Sequence, residues 1–65
     1  MQTTIAVAAK ILNNRATVLM EQQRFDEAEK LFRKALAIQQ KLLGADHPIT
    51  KETQANLEQL KAARG

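Results

Sequence analysis

The apolar positions of residues 24–48 keep the period of an α-helix. Phe25, Ala28, Phe32, Ala35 and Leu42 fall three, four or seven residues apart, with Gln39 interrupting the series. Leu31, Leu36, Ile38 and Leu43 widen the stripe. A stripe that wide needs partners on two sides, so this segment is expected in the middle of the domain. Asp26 is placed to cap its start, and Glu29 three residues later completes a capping box. Gly44 fits a left-handed position just past its end, and Pro48 forbids continuation. Ala28 and Ala35 are small enough to admit a close helical neighbour.

Upstream, Ile5, Ala9, Leu12, Ala16 and Leu19 form one helical face. Val7, Ile11 and Val18 form a second, interrupted by Arg15. The pattern predicts a first helix over about residues 4–22, with Thr3 or Thr4 as its N-cap. Gln23 and Arg24 then make a tight link, which favours an antiparallel hairpin with a second helix over about residues 26–43. A third helix is expected over about residues 48–63, capped by Asp46 or His47, with Pro48 tolerated in its first turn. Its stripe is Ile49, Thr53, Leu57 and Leu60, and its other positions are polar. The fold class predicted is all-α: one small domain over residues 1–65, a helical hairpin followed by a capping helix.

Leu12, Asn13, Asn14, Ala16 and Leu19, then Phe25, Ala28, Phe32, Ala35 and Leu36, then Leu43, Gly44, His47 and Pro48 carry a resemblance. The chain is similar to the tetratricopeptide repeat family, in the longer 42-residue form found in kinesin light chains. Two positions depart from that pattern. Arg15 stands where the family has a buried leucine, and Gln23 stands where it usually has glycine. The resemblance continues as an internal repeat, since Asn14-Arg15 and Asn56-Leu57 stand 42 positions apart. On that offset Glu58 replaces Ala16 and Lys61 replaces Leu19, charged residues where another helix would have to dock. The third helix therefore resembles the polar end cap that solenoids need for solubility. The expectation is one repeat plus a C-terminal cap, with no N-terminal cap.

The resemblance implies a protein-interaction module whose partner is a protein or peptide. In the family, first helices of successive repeats line a concave groove that holds a partner segment. The corresponding positions here are Lys10, Asn13, Thr17 and Met20, with Glu52 and Gln59 from the cap. An asparagine amide both donates and accepts, so Asn13 and its neighbour Asn14 suit a peptide backbone. The plainer reading is that these are ordinary solvated polar residues, and one repeat offers a short groove.

Composition narrows the chemistry. The 65 residues include no cysteine and one histidine, so no disulfide framework and no clustered zinc ligands are expected. The only glycines are Gly44 and Gly65, which excludes a glycine-rich phosphate loop. No nucleophile or orienting acid stands at a recognisable spacing from His47. The expectation is no enzyme, no metal and no cofactor. Net charge is +3, from ten basic and seven acidic residues mixed along the chain. Lys30, Arg33, Lys34 and Lys41 make the second helix basic on its outer side, but no aromatic residue interleaves them for base stacking. A small basic nucleic-acid-binding protein is thus the alternative reading, a purely structural assembly unit a further one. No apolar run is long enough to span a membrane. The Ile5–Ala9 run is short and lacks a preceding basic segment, so it does not read as a signal peptide. A cytoplasmic location is expected.

A chain this short buries only about 60% of its unfolded surface, which leaves oligomerisation as its remaining source of stability. The 42-residue offset maps the cap's stripe onto Val7, Ile11, Arg15 and Val18. In an array those residues would dock on a preceding repeat. Alone, they would form an exposed patch of the kind that marks partner sites. A homodimer through this face is expected, side by side or, slightly favoured, intertwined by helix exchange.

Overall fold

The computed structural model describes residues 2–64, with side chains from Val7 to Arg64. Three helices follow in order: α1 (Gln2–Glu21), α2 (Phe25–Leu43) and α3 (Pro48–Arg64). Among the described residues there is no strand, so the all-α class holds. α2 packs against both other helices, while α1 and α3 barely touch. The stripe of α2 is wide enough to meet a helix on each flank, and its Ala28 and Phe32 lie in the cluster that both neighbours share.

The core is built on Ala16, Ala28, Phe32, Leu57 and Leu60, one buried cluster shared by all three helices. Ala16 and Ala28, each fully buried, face the α1–α2 crossing with nothing larger than a methyl group. Phe32 fills the space those alanines leave. Leu19, Met20, Phe25, Leu31 and Leu36 pack around the cluster as half-buried neighbours.

The turn after α1 explains the missing glycine. The Gln23 N–H donates to the Met20 carbonyl at 2.9 Å and the Arg24 N–H to the Leu19 carbonyl at 2.8 Å. This pair of bonds is the Schellman arrangement, which needs a left-handed residue just past the helix end. Gln23 supplies it with a φ of 65°. A side chain there carries a steric penalty of roughly 1–2 kcal/mol that glycine avoids, partly offset by glycine's greater freedom when unfolded. Gln23→Gly is therefore expected to stabilise the domain by about 0.5–1 kcal/mol. A rise in melting temperature would register it, and a fall would mean that the turn does not need the left-handed residue.

Several local expectations are corrected. α1 already includes Gln2, so Thr3 and Thr4 lie within the helix rather than ahead of it, and their side chains, like that of Ile5, lie outside the described residues. Asp26 and Glu29 form no capping box: Arg24 occupies the cap position of α2 and makes no side-chain cap bond. The Schellman turn starts α2 at Phe25, so Asp26 falls inside the first turn, where its charge faces the positive end of the helix. Gly44 does take a positive φ of 90°, but its ψ of 155° puts it in the extended region open essentially to glycine alone, not in the left-handed helical well. His47 caps α3, its Nδ1 accepting the Ile49 N–H at 3.1 Å.

Two polar residues sit where apolar ones were expected. Gln39 does not interrupt the α2 stripe but continues it, at 2% exposure. On α3 the buried line is Thr50, Thr53, Leu57 and Leu60, while Ile49 is 44% exposed. At 100° per residue, Ile49 and Thr50 flank the Thr53–Leu57–Leu60 line by similar angles, roughly 50° on either side. Periodicity cannot choose between them. The position of α2 does, and it lies on the Thr50 side.

The far end of α3 is tied down by charge. Arg64 donates to Glu29 Oε1 at 2.5 Å and also to Asp26 Oδ1, joining the end of α3 to the start of α2. Glu29 also accepts from Arg33 Nε at 2.8 Å. The Arg33 hydrogen bond, with further attraction from Arg33, Arg64 and Lys61, holds the Glu29 carboxyl below its ordinary pKa.

Candidate protein-interaction surfaces

Three surfaces remain once the core is closed. The first lies between α1 and α3. It is a small cavity of about 60 Å³, lined by Lys10, Asn13 and Asn14 from α1 and by Ile49, Glu52 and Thr53 from α3. Gln39 of α2 reaches it from below. Asn13 is nearly buried, and its Oδ1 accepts from Asn56 Nδ2 at 3.4 Å, the one side-chain hydrogen bond between α1 and α3 among the described residues. Gln39 Oε1 has no hydrogen-bond partner among the described residues.

The groove positions named from sequence are only partly gathered there. Lys10, Asn13 and Glu52 line the cavity. Thr17 does not: its hydroxyl donates back to the Asn13 carbonyl of its own helix at 3.0 Å. Met20 is half-buried against the core and Gln59 is exposed, both away from the cavity lining. Sequence reasoning missed Gln39 as a lining residue. The signal was available, because Gln39 lies seven residues after Phe32 and four after Ala35, on the same helical face.

The second surface is the outer side of α1. Val7, Ile11 and Val18 are 53%, 52% and 50% exposed, and Arg15 between them is exposed too. The third is an open groove of about 550 Å³ along the α1–α2 seam. No residue of α3 lines it.

The outer side of α3 has a different character. Lys51, Glu52, Gln54, Glu58, Gln59 and Lys61 are all exposed. Glu58 is occupied locally, accepting from Gln54 Nε2 at 3.2 Å and lying 3.9 Å from Lys61 Nζ. Ala16, its counterpart on the 42-residue offset, is fully buried under α2. The same repeat position is thus closed by a helix in α1 and open to water in α3.

No group of three metal-ligating side chains occurs among the described residues. No helix there is long and apolar enough to cross a membrane. What remains is a short helical repeat unit with extended surfaces rather than an enclosed site. Its sequence agrees with that class: a family model for the tetratricopeptide repeat matches residues 7–65, nine-tenths of the chain. The chain belongs to the tetratricopeptide repeat family, whose repeats serve in general as non-enzymatic protein–protein interaction modules. No curated protein and no solved structure matches it significantly.

Proposed function

We propose that this unit works as a non-enzymatic, cytoplasmic interaction module that self-associates as a homodimer through the outer side of α1. The observation that carries the reading is the row Val7, Ile11 and Val18, about half exposed on one helix face. Branched apolar side chains in a row are stabilised by removal from water, at about 25 cal/mol per Å² covered. A second copy presents the same row, and twofold pairing is the commonest way to cover it. The short links, Gln22–Arg24 and Gly44–His47, leave both the side-by-side and the intertwined form open. The Leu43-Gly44…His47-Pro48 link supports the longer, kinesin-light-chain-like form of the repeat.

Light scattering at micromolar concentration tests this. A dimer has twice the 7.3 kDa mass of the chain. Ile11 makes little use of the chain's own core, so Ile11→Asp should give a monomer that keeps its helical circular dichroism. A parent chain that stays monomeric across the concentration range would overturn self-association.

A second reading concerns the cavity between α1 and α3. Gln39 Oε1 supports a peptide laid over the mouth of this cavity, whose volume of about 60 Å³ admits a single guest N–H group as its donor. Gln39→Leu should then weaken peptide capture while leaving the dimer intact. Unchanged capture by this variant would remove the cavity from the reading.

A further inference from the structure

The α1–α2 seam differs from the apolar row beside it. Its floor is Val18, Leu19 and Leu31, and its rim carries Arg15, Lys30 and Lys34. Arg24 and Glu27 close one end, paired at 3.4 Å. Among the described residues, Arg15, Lys30 and Lys34 have no acidic partner. An apolar trough between two helices, edged by three uncompensated cations, is half of a binding site.

We propose that this seam docks an amphipathic helix of another protein, one that lays an apolar stripe on Val18, Leu19 and Leu31 and flanks it with carboxylates facing Arg15, Lys30 and Lys34. Charge complementarity chooses this occupant. A second copy is a poor fit, because twofold pairing across the seam would press the basic patch of Arg15, Lys30 and Lys34 against the same patch of the other copy, and like charges suppress wrong partners. A nucleic acid would use the cations but not the trough, and neither Phe25 nor Phe32 lines the seam to stack a base. A helix is the shape that fits, since the seam is a groove between two helices, and an apolar helix face in such a groove is a recurring mode of recognition. This inference does not rest on self-association. Arg15 and Val18 belong to both surfaces, so the acidic helix and a second copy exclude one another there.

The test uses the whole chain and a fluorescent synthetic peptide with leucines spaced three and four residues apart, flanked by glutamates. Binding is read by anisotropy. The expected result is saturable binding that weakens as salt rises, because exposed ion pairs are screened. Lys30→Glu with Lys34→Glu, both exposed, should cut the affinity by roughly tenfold or more. The same peptide with lysines in place of its glutamates should bind this variant better than it binds the parent, a rescue that misfolding cannot produce. Lys51→Glu, exposed on α3 and away from the seam, should change nothing beyond the small effect of net charge.

Equal affinity of parent and double variant for the acidic peptide overturns the proposal. So does equal binding of a scrambled peptide of the same composition, which would make the seam a plain ion exchanger. Tighter binding of duplex DNA than of the peptide at physiological salt would assign the cations to nucleic acid instead. Light scattering on the same samples separates the two readings. A monomer that binds the peptide leaves this proposal standing without the dimer, and a dimer that ignores the peptide does the reverse.

Discussion

Phe32→Ala is expected to unfold the domain. Phe32 is fully buried and is the only aromatic side chain in the central cluster, touching elements from all three helices. Removing a buried phenylalanine costs about 3–5 kcal/mol, the lost transfer energy plus the cavity left behind. A domain of this size rarely holds more than about 3–5 kcal/mol in total, so the loss matches the whole of its stability. Ala16 and Ala28 pack beside it and are too small to collapse into the space. The readout is a thermal melt by circular dichroism. A melting temperature unchanged from the parent would mean that α1 and α3 do not pack on Phe32 as described.

Leu60→Ala is expected to release α3. Leu60 is fully buried near the end of the chain, and with Leu57 it forms the apolar attachment of α3 to α2. Truncation of a buried leucine costs about 2–5 kcal/mol. The other hold on this end of α3 is the Arg64 contact with Asp26 and Glu29. That contact lies at the surface, and surface pairs contribute roughly 0–1 kcal/mol, so it cannot compensate. Hydrogen exchange should show protection falling first along α3, with α1 and α2 opening later. Arg64→Ala should have a much smaller effect on the same measurement. If the two variants proved equal, charge rather than burial would be what anchors the cap.

The contrast between these two substitutions shows which parts of the fold were legible along the chain. The α2 segment declares itself because its apolar stripe, its glycine end and Pro48 agree. Its central place agrees with the width of that stripe, although α1 carries a second apolar face too and is covered on one side only. The polar outer side of α3 is legible too, since Glu58 and Lys61 stand on the 42-residue offset where α1 has Ala16 and Leu19. The face of α1 carrying Val7, Ile11 and Val18 is a pattern of spacing, and its exposure follows once α2 takes the opposite face.

Other features depend on where a second element lies. The choice of Thr50 over Ile49 is one, because both suit the same periodicity and only the position of α2 separates them. Burial of Gln39 is another: its residue type argues for the surface and its spacing for the core, and the packing of α1 and α3 over α2 settles the matter. Asp26 and Glu29 read as a local cap, yet they serve Arg64, which lies 38 and 35 positions further along the chain. The basic-rimmed seam brings Arg15 together with Lys30 and Lys34 across a hairpin, and no single-helix pattern joins them. Local propensity and periodicity are properties of one segment, so the sequence by itself determined the three helices, their order and their apolar faces. Which flank of a stripe is covered, which polar side chain is buried and which charges meet are properties of pairs of segments, and those only the tertiary structure decided.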